Sequence, residues 1–349
     1  MSQSTGRATE SNGNGQVTRA PTLSVTVLNY NYGRYLVGCL DSILRQTFED
    51  FELVIIDDRS PDNSLEVIRP YLKDPRVRLV AHTKNVGYGG SLVEGTSECS
   101  RGEFVMVISA DDLVLRPDAF ERQIAALRKT PNAAFCFSGY NSFHDDGKLV
   151  EHQRSYEGDR VLDGAEFFRD YATRQAVQVL HTGTMLRKSK YFLAGGYRRD
   201  LNICLDFAMW LMLCQEGEVA YIDDELYGYR THPGQMSQSL KKAHANVKEC
   251  LSAVEVACDR AQQKGLPVAE LRDEAIQYIL FAIAIADAFN DRSKLALARS
   301  ASALLLQPRL TLMAPGLRVV LARLALGGVR YQRALSWVRA RTGASSARP

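Results

Sequence analysis

The chain has 349 residues, 43 of them Lys or Arg against 40 Asp or Glu, for a formal charge of +3. That balance excludes a strongly basic nucleic-acid binder and an acidic tail protein, and 46% hydrophobic with 24% charged residues excludes wholesale disorder. The seven cysteines, odd in number and without a CxxC pair, suit buried free thiols in a reducing compartment, not a zinc site or a disulfide framework.

Residues 1–20, rich in Ser, Gly, Asn and Thr, read as a disordered tail lacking the apolar core of a signal peptide. A β-branched strand over 23–28 then runs into the loop Asn29-Tyr30-Asn31-Tyr32-Gly33. A helix over 34–47 follows, with Leu36, Leu40, Ile43 and Leu44 on one face. The second strand, 51–56, ends in Asp57-Asp58, and Ser60 or Asp62 can cap a helix over 63–72. A third strand at 77–81 precedes a Gly-rich turn, 85–90, and a helix reaching about residue 99. A fourth, 104–108, ends in Ser109-Ala110-Asp111-Asp112 ahead of a helix over 117–129. Farther on the pattern is mixed, with strands at 133–137, 183–187, 219–222 and 225–230 and helices at 164–173 and 205–215. From about residue 240 the pattern is helical: 240–264, 268–289, 292–306 and 316–340. The most apolar stretches, 278–289 and 310–329, are too short or too interrupted by Arg318 and Arg323 to span a membrane.

Strand alternating with helix at this spacing predicts an α/β fold, a mainly parallel sheet with helices on both faces. Such sheets bind ligands outside the carboxyl ends of their strands. Three of those ends carry 29–32, Asp57-Asp58 and Asp111-Asp112, so the rim is polar and acid-rich.

Each rim residue has a chemical and a plainly structural reading. Asp111 and Asp112 repel one another unless a cation or donors intervene, and a hard divalent ion bridging phosphates resolves that; the alternative is a helix cap. Asp58 can accept hydrogen bonds from a nucleobase or ribose, or serve its turn. Tyr30 and Tyr32 can stack on a base or simply pack. In the turn Lys84-Asn85-Val86-Gly87-Tyr88-Gly89-Gly90, a dinucleotide fingerprint counted from Gly87 needs glycine where Leu92 stands, and the turn does not follow the first strand. That excludes a Rossmann cofactor site and leaves a tight turn whose backbone can approach a ligand. Asp206 opens a mostly apolar helix, a setting that favours general-base work or an N-cap. His232, in Tyr229-Arg230-Thr231-His232-Pro233, is available to a metal or a phosphate, or is a loop residue.

Taken in order, the motifs LNYNYGRYL, LVIIDDRSPDNS, KNVGYGG, GEFVMVISADD, GTMLRKSKYFLAGGYRRDL, LDFAMWL and YRTHPGQMS resemble those of the family 2 glycosyltransferases, inverting enzymes of the GT-A fold, over roughly residues 22–239. The resemblance implies that a tyrosine at Tyr30 stacks on the donor nucleobase, that Asp58 binds it, and that Lys84 and Asn85 belong to the same nucleotide-sugar site. It implies that Asp111 contacts ribose, that Asp112 ligates Mg²⁺ or Mn²⁺ directly with His232 completing the contacts, and that Asp206 is the catalytic base. Two positions depart from the family pattern: Ser109 stands where the metal motif often begins with Asp, and Leu205 where the base motif often has Glu. The implied donor is a nucleoside-diphosphate sugar, by family habit a UDP-sugar, and the implied acceptor a glycan or a lipid-linked glycan. A sugar nucleotidyltransferase would need a Gly-rich basic loop after the first strand, where 29–34 has only Gly33 and Arg34. A non-catalytic binder of the same fold sits poorly with Asp58, Asp112, Asp206 and His232 occurring together.

Charge is uneven along the chain. From Arg309 onward there are eight arginines and no Lys, Asp or Glu, a +8 segment behind a −5 body. Over 316–340, Leu317, Val320, Leu321, Leu324, Tyr331, Leu335 and Val338 fall on one helical face and arginines on the other. Such a helix can lie on an anionic membrane or pack on the catalytic domain with a solvated basic face. The expected organisation is a tail over 1–20, a catalytic domain over 21–239 and a helical region over 240–349. The expected location is cytoplasmic, peripheral at the inner face of the membrane.

Overall fold

The computed structural model describes residues 9–11, 17–173, 177–235 and 246–289. The chain divides into two compact units, Met1–Tyr171 with Gln175–Asn246, and Ala172–Arg174 with Val247–Pro349. Within the stretch read as a tail, β1 (Thr9–Ser11) pairs antiparallel with β2 (Val17–Arg19).

The first unit is built on a ten-stranded sheet. Its centre is β3 (Leu23–Asn29), whose seven residues are all buried because neighbours cover both its faces. It runs parallel to β4 (Phe51–Asp57) on one side and to β6 (Phe104–Ser109) on the other, and β5 (Val77–Ala81) continues beyond β4, also parallel. The register places Asn29 opposite Asp57 and Leu28 opposite Ser109. Three strands therefore end at one level, and the acid-rich loops after them stand side by side.

Helices cover both faces of this half, as expected. The helix α1 (Gly33–Leu44) buries Leu36, Cys39, Leu40 and Ile43 in one core with Val25, Val27, Leu53 and Ile55. α2 (Ser64–Ile68) adds Ile68 to that core. On the opposite face, α3 (Gly87–Val93) continues into a π-turn where Gly95 lies so close that an added Cβ would meet Thr26 and Ile56.

The other half of the sheet is mixed. β7 (Leu113–Val114) is followed by α4 (Ala119–Lys129), then β8 (Ala133–His144), with β9 (Leu149–Gln153) folded back on β8 and β10 (Arg160–Leu162) at the edge. After α5 (Gly164–Ala172), β11 (Met185–Arg187) inserts antiparallel between β6 and β8. α6 (Lys188–Leu193) and α7 (Leu205–Leu213) precede β12 (Glu218–Thr231), which lies parallel to β8 along its length. An aromatic cluster anchors this half: Trp210 of α7 stacks on Phe135 of β8 at 5.3 Å, and Phe167 of α5 meets Phe135 edge-on at 5.2 Å. Removing a ring from such a buried cluster costs about 3–5 kcal/mol.

In the second unit, α8 (Asn246–Gln263) buries Val254, Ala257, Cys258 and Ala261 at helical spacing, and α9 (Arg272–Phe289) follows a 3₁₀ turn over Pro267–Leu271. Among the described residues no helix is long and apolar enough to cross a membrane. The helices expected over 292–306 and 316–340, and with them the arginine-rich 309–349, lie outside the described residues. All seven cysteines are free thiols.

Candidate active site

A cleft of about 680 Å³ opens at the carboxyl ends of β3, β4 and β6. Tyr30, Asp58, Asn85, Asp111, Asp112 and Asp206 all line it. Six of the eight residues to which the resemblance gives a role are thus brought into one concavity. The other two differ. Lys84 sits on the exposed loop before Asn85 and is not part of the cleft wall. His232 lies behind the wall, its side chain fully buried against Asp111.

Asp58 is buried at the end of β4 and holds the Gly-rich turn to the sheet. Its carboxylate accepts the backbone N–H groups of Val86 at 2.7 Å and Gly87 at 2.8 Å. Gly87 has φ +82°, a left-handed conformation that glycine adopts without strain, and it starts α3 inside the segment read as a turn. His82 lies 2.8 Å from Asp58 through Nδ1 and 2.7 Å from Glu94 through Nε2. Burial pulls its pKa down, but the hydrogen bonds to Asp58 and Glu94 outweigh that and raise it overall. Neighbouring Asp57 is structural: it takes Asn29 Nδ2 at 2.7 Å and Ser60 Oγ at 2.6 Å.

Asp111 and Asp112 follow β6, and the antiparallel pairing of β7 with β12, Leu113 opposite Gly228 and Val114 opposite Tyr227, draws the end of β12 beside them. Asp112 accepts Thr182 Oγ1 at 2.6 Å and the Arg230 N–H at 2.9 Å. Asp111 faces His232, Oδ2 to Nε2 at 3.1 Å. Arg230 donates from Nε to the Asp111 carbonyl at 2.8 Å, its guanidinium held 4.7 Å from the Tyr35 ring and 4.6 Å from that of Phe143. Burial raises the Asp111 pKa, partly offset by His232, and raises that of Asp112 strongly, with the Asp111 charge adding to it. Two such acids together call for positive charge.

Asp206 is half-buried in the first turn of α7, its Oδ1 accepting the Phe207 N–H at 2.8 Å. The side chain of Asp206 therefore keeps Oδ2 for other partners.

Several site residues escaped the sequence reading. Thr182 and Arg230 fix Asp112, and Tyr88 with His181 lines the cleft. Their residue types are common in loops and strands; only the quoted motifs that contain Tyr88 and Arg230 could have drawn attention to them. A further signal is polar: Asn29 Oδ1, Ser91 Oγ, Gln235 Oε1 and His232 Nδ1 are buried with no hydrogen-bond partner, and the first three residues line the cleft. Buried polar atoms are normally satisfied, so their clustering here marks a polar ligand site. Among the described residues no three His, Cys, Asp or Glu side chains form a ready-made metal cage. The donor set is one carboxylate and one imidazole, which suits an ion sharing its coordination with substrate phosphates and water.

Comparison with known proteins agrees with this geometry. The crystal structure of Staphylococcus aureus TarS 1-349 in complex with UDP-GlcNAc superposes with a TM-score of 0.65 at 14% identity, covering 90% of this chain and 92% of that one. The mannosyltransferase PcManGT of Pyrobaculum calidifontis, in complex with GDP-Man and Mn²⁺, gives 0.53 at 17% identity, covering 89% and 88%. These likenesses show the fold, that of GT-A type proteins. In sequence, residues 24–194 match the Glycosyl transferase family 2 model. The chondroitin synthase of Escherichia coli is 27% identical over 215 residues, covering 61% of this chain and 29% of that protein. Residues 24–194 thus form a glycosyl transferase family 2 domain, and the chain spans about three-tenths of the length of that synthase.

Proposed function

We propose that the protein is an inverting glycosyltransferase that moves a sugar from a nucleoside-diphosphate donor, a UDP-sugar, to an acceptor hydroxyl in polysaccharide or glycoconjugate synthesis. The observation that carries this is the meeting of Tyr30, Asp58, Asp111 and Asp206 around one cleft. Tyr30 is 48% exposed at the mouth, free to lie against a base. Asp58 already takes two backbone N–H groups and His82, which leaves about one carboxylate lone pair for a single N–H such as that of a uracil ring. The solved relatives are in complex with UDP-GlcNAc and GDP-Man, which favours a nucleotide-sugar donor.

Asp206 then acts as the general base. It takes the proton of the acceptor hydroxyl as that oxygen bonds to the anomeric carbon, and the bond to the diphosphate breaks with its electron pair leaving on the nucleoside diphosphate. One displacement inverts the centre. Asp112 and His232 would hold the cation, with Asp111 toward the ribose: Thr182 and the Arg230 N–H take one lone pair from each Asp112 oxygen and leave another on each. The strongly raised Asp112 pKa and the unpartnered His232 Nδ1 fit such a group. Mg²⁺ or Mn²⁺ bound there supplies positive charge to the departing diphosphate.

The acceptor in this reading is a glycan or lipid-linked glycan, met at an anionic membrane surface through residues 309–349. Salt-sensitive vesicle binding lost on deleting that segment tests the surface; equal binding without it contradicts it. The enzyme reading is tested by incubating the protein with a panel of sugar nucleotides, with and without Mn²⁺, and measuring nucleoside diphosphate release. Mn²⁺-dependent release from one donor class is expected, and no release from any overturns the reading.

A further inference from the structure

His181 is the centre of a three-residue hydrogen-bonded chain in the cleft wall. Its Nδ1 lies 2.6 Å from the Tyr88 hydroxyl and its Nε2 2.8 Å from the Tyr197 hydroxyl. Tyr88 comes from α3, while Tyr197 comes from the loop between α6 and α7 and is buried. The imidazole is also flanked by the Trp210 ring at 6.0 Å. Held at both nitrogens and on a face, it has one orientation. Tyr88, His181 and Asp206 line the cleft together, whereas Tyr197 stands behind them.

Burial lowers the His181 pKa, so the ring is neutral at pH 7: one nitrogen carries a proton and the other accepts. The chain therefore has a direction. Either Tyr88 gives its proton to Nδ1, or it receives Nδ1–H and keeps its own proton for the cleft. Burial, then above all the charge of Asp206, holds the Tyr88 hydroxyl protonated, and an O–H facing that carboxylate turns its hydrogen toward it. That selects one sequence: Tyr197 O–H to Nε2, Nδ1–H to the Tyr88 oxygen, Tyr88 O–H to the cleft.

We infer that Tyr197 and His181 are positioning residues that fix the Tyr88 hydroxyl as a hydrogen-bond donor, aimed beside Asp206 at an oxygen of the donor's diphosphate. This rests on the transferase reading for the identity of that oxygen. The tautomer on which it turns does not. A neutral O–H donates to the oxygen where charge grows as the nucleoside diphosphate departs, and it adds no charge that the ground state would also feel.

The test has two arms. Long-range ¹H–¹⁵N correlation on ¹⁵N-histidine-labelled protein, assigned with His181→Gln, reads the tautomer whether or not a substrate is known. Nδ1–H is expected in the wild type. An Nε2–H or doubly protonated ring in the wild type overturns the inference. In the kinetic arm, Tyr88→Phe lowers kcat about 10- to 100-fold with KM for the donor little changed. Tyr197→Phe lowers kcat in the same direction, the double variant is no slower than Tyr88→Phe, and His181→Gln, which keeps one donor and one acceptor, retains more activity than His181→Ala. Independent, multiplying losses overturn the relay. Absence of activity in the wild type itself contradicts the transferase reading instead, and leaves the spectroscopic arm to decide the relay.

Discussion

His232 Nε2 lies 3.1 Å from Asp111 Oδ2, although 121 residues of chain separate them. The two-residue strand β7 makes this contact: by pairing with β12 immediately after Asp112, it brings Arg230 and His232 onto the acid pair at the end of β6. Tyr32 and Tyr35 then fix the imidazole, with ring centroids at 5.4 and 5.0 Å.

Truncating His232 therefore strikes the cation's seat. With His232→Ala, Asp111 loses the partner that offsets its burial and protonates more readily. The Mn²⁺ concentration for half-maximal activity is expected to rise about 10- to 100-fold. A Mn²⁺ titration checks this, and an unchanged requirement would place the ion elsewhere.

Asp112 has a separable role in stability. Asp112→Ala leaves the Thr182 hydroxyl and the Arg230 N–H buried without their acceptor, a loss of about 1–3 kcal/mol in urea unfolding. Asp112→Asn matches the neutral acid in size and keeps an acceptor oxygen, so most of that stability is expected to remain. Equal losses in both variants would mean that charge, not hydrogen bonding, is what Asp112 contributes.

The imidazole of His82 predicts a pH dependence. Its pKa is raised above the ordinary 6.5 because its hydrogen bonds to Asp58 and Glu94 outweigh burial. A raised folded-state value means the stabilisation is complete below the unfolded value and is lost as pH climbs through the folded one. Wild type is thus expected to lose stability relative to His82→Gln as pH rises above about 6.5. Parallel urea curves across that range check the sign, and a constant difference contradicts it.

Gly183 is strained for any other residue. Its φ is +82°, and a Cβ would run into the Tyr227 ring. Gly183→Ala is expected to cost at least about 2 kcal/mol and, through Thr182, to disturb Asp112. Thermal unfolding checks it; a midpoint equal to wild type would show that this backbone can relax freely.

Much of this was legible in the sequence, for local reasons. The strands at 23–28, 51–56 and 104–108 are short, mostly apolar runs, and the structure extends each by one residue. The positions of Tyr30, Asp58 and Asp111 follow from parallel strands ending at one level. What was not legible is non-local. The helix at Gly87 begins where it does because Asp58, from another strand, takes the Val86 and Gly87 N–H groups. β8 continues through Ser138-Gly139-Tyr140-Asn141, a turn-like string, because β9 and β12 pair with it on either side. Asp223 and Asp224 look like a break within β12, yet Arg154 and Arg122 pair with them and the strand absorbs the irregularity as shifts of register. The His181 chain joins Tyr88, 93 residues away, to Tyr197, 16 residues on, and no periodicity or spacing encodes it.

The account stands most directly on Asp206. The decisive measurement compares the rate of nucleoside diphosphate formation by wild type and Asp206→Asn on the preferred donor, with donor affinity measured in parallel by calorimetry. Loss of a general base predicts a fall of about 10²- to 10⁴-fold in rate with donor affinity essentially preserved. Near wild-type turnover by Asp206→Asn at the same affinity would contradict it.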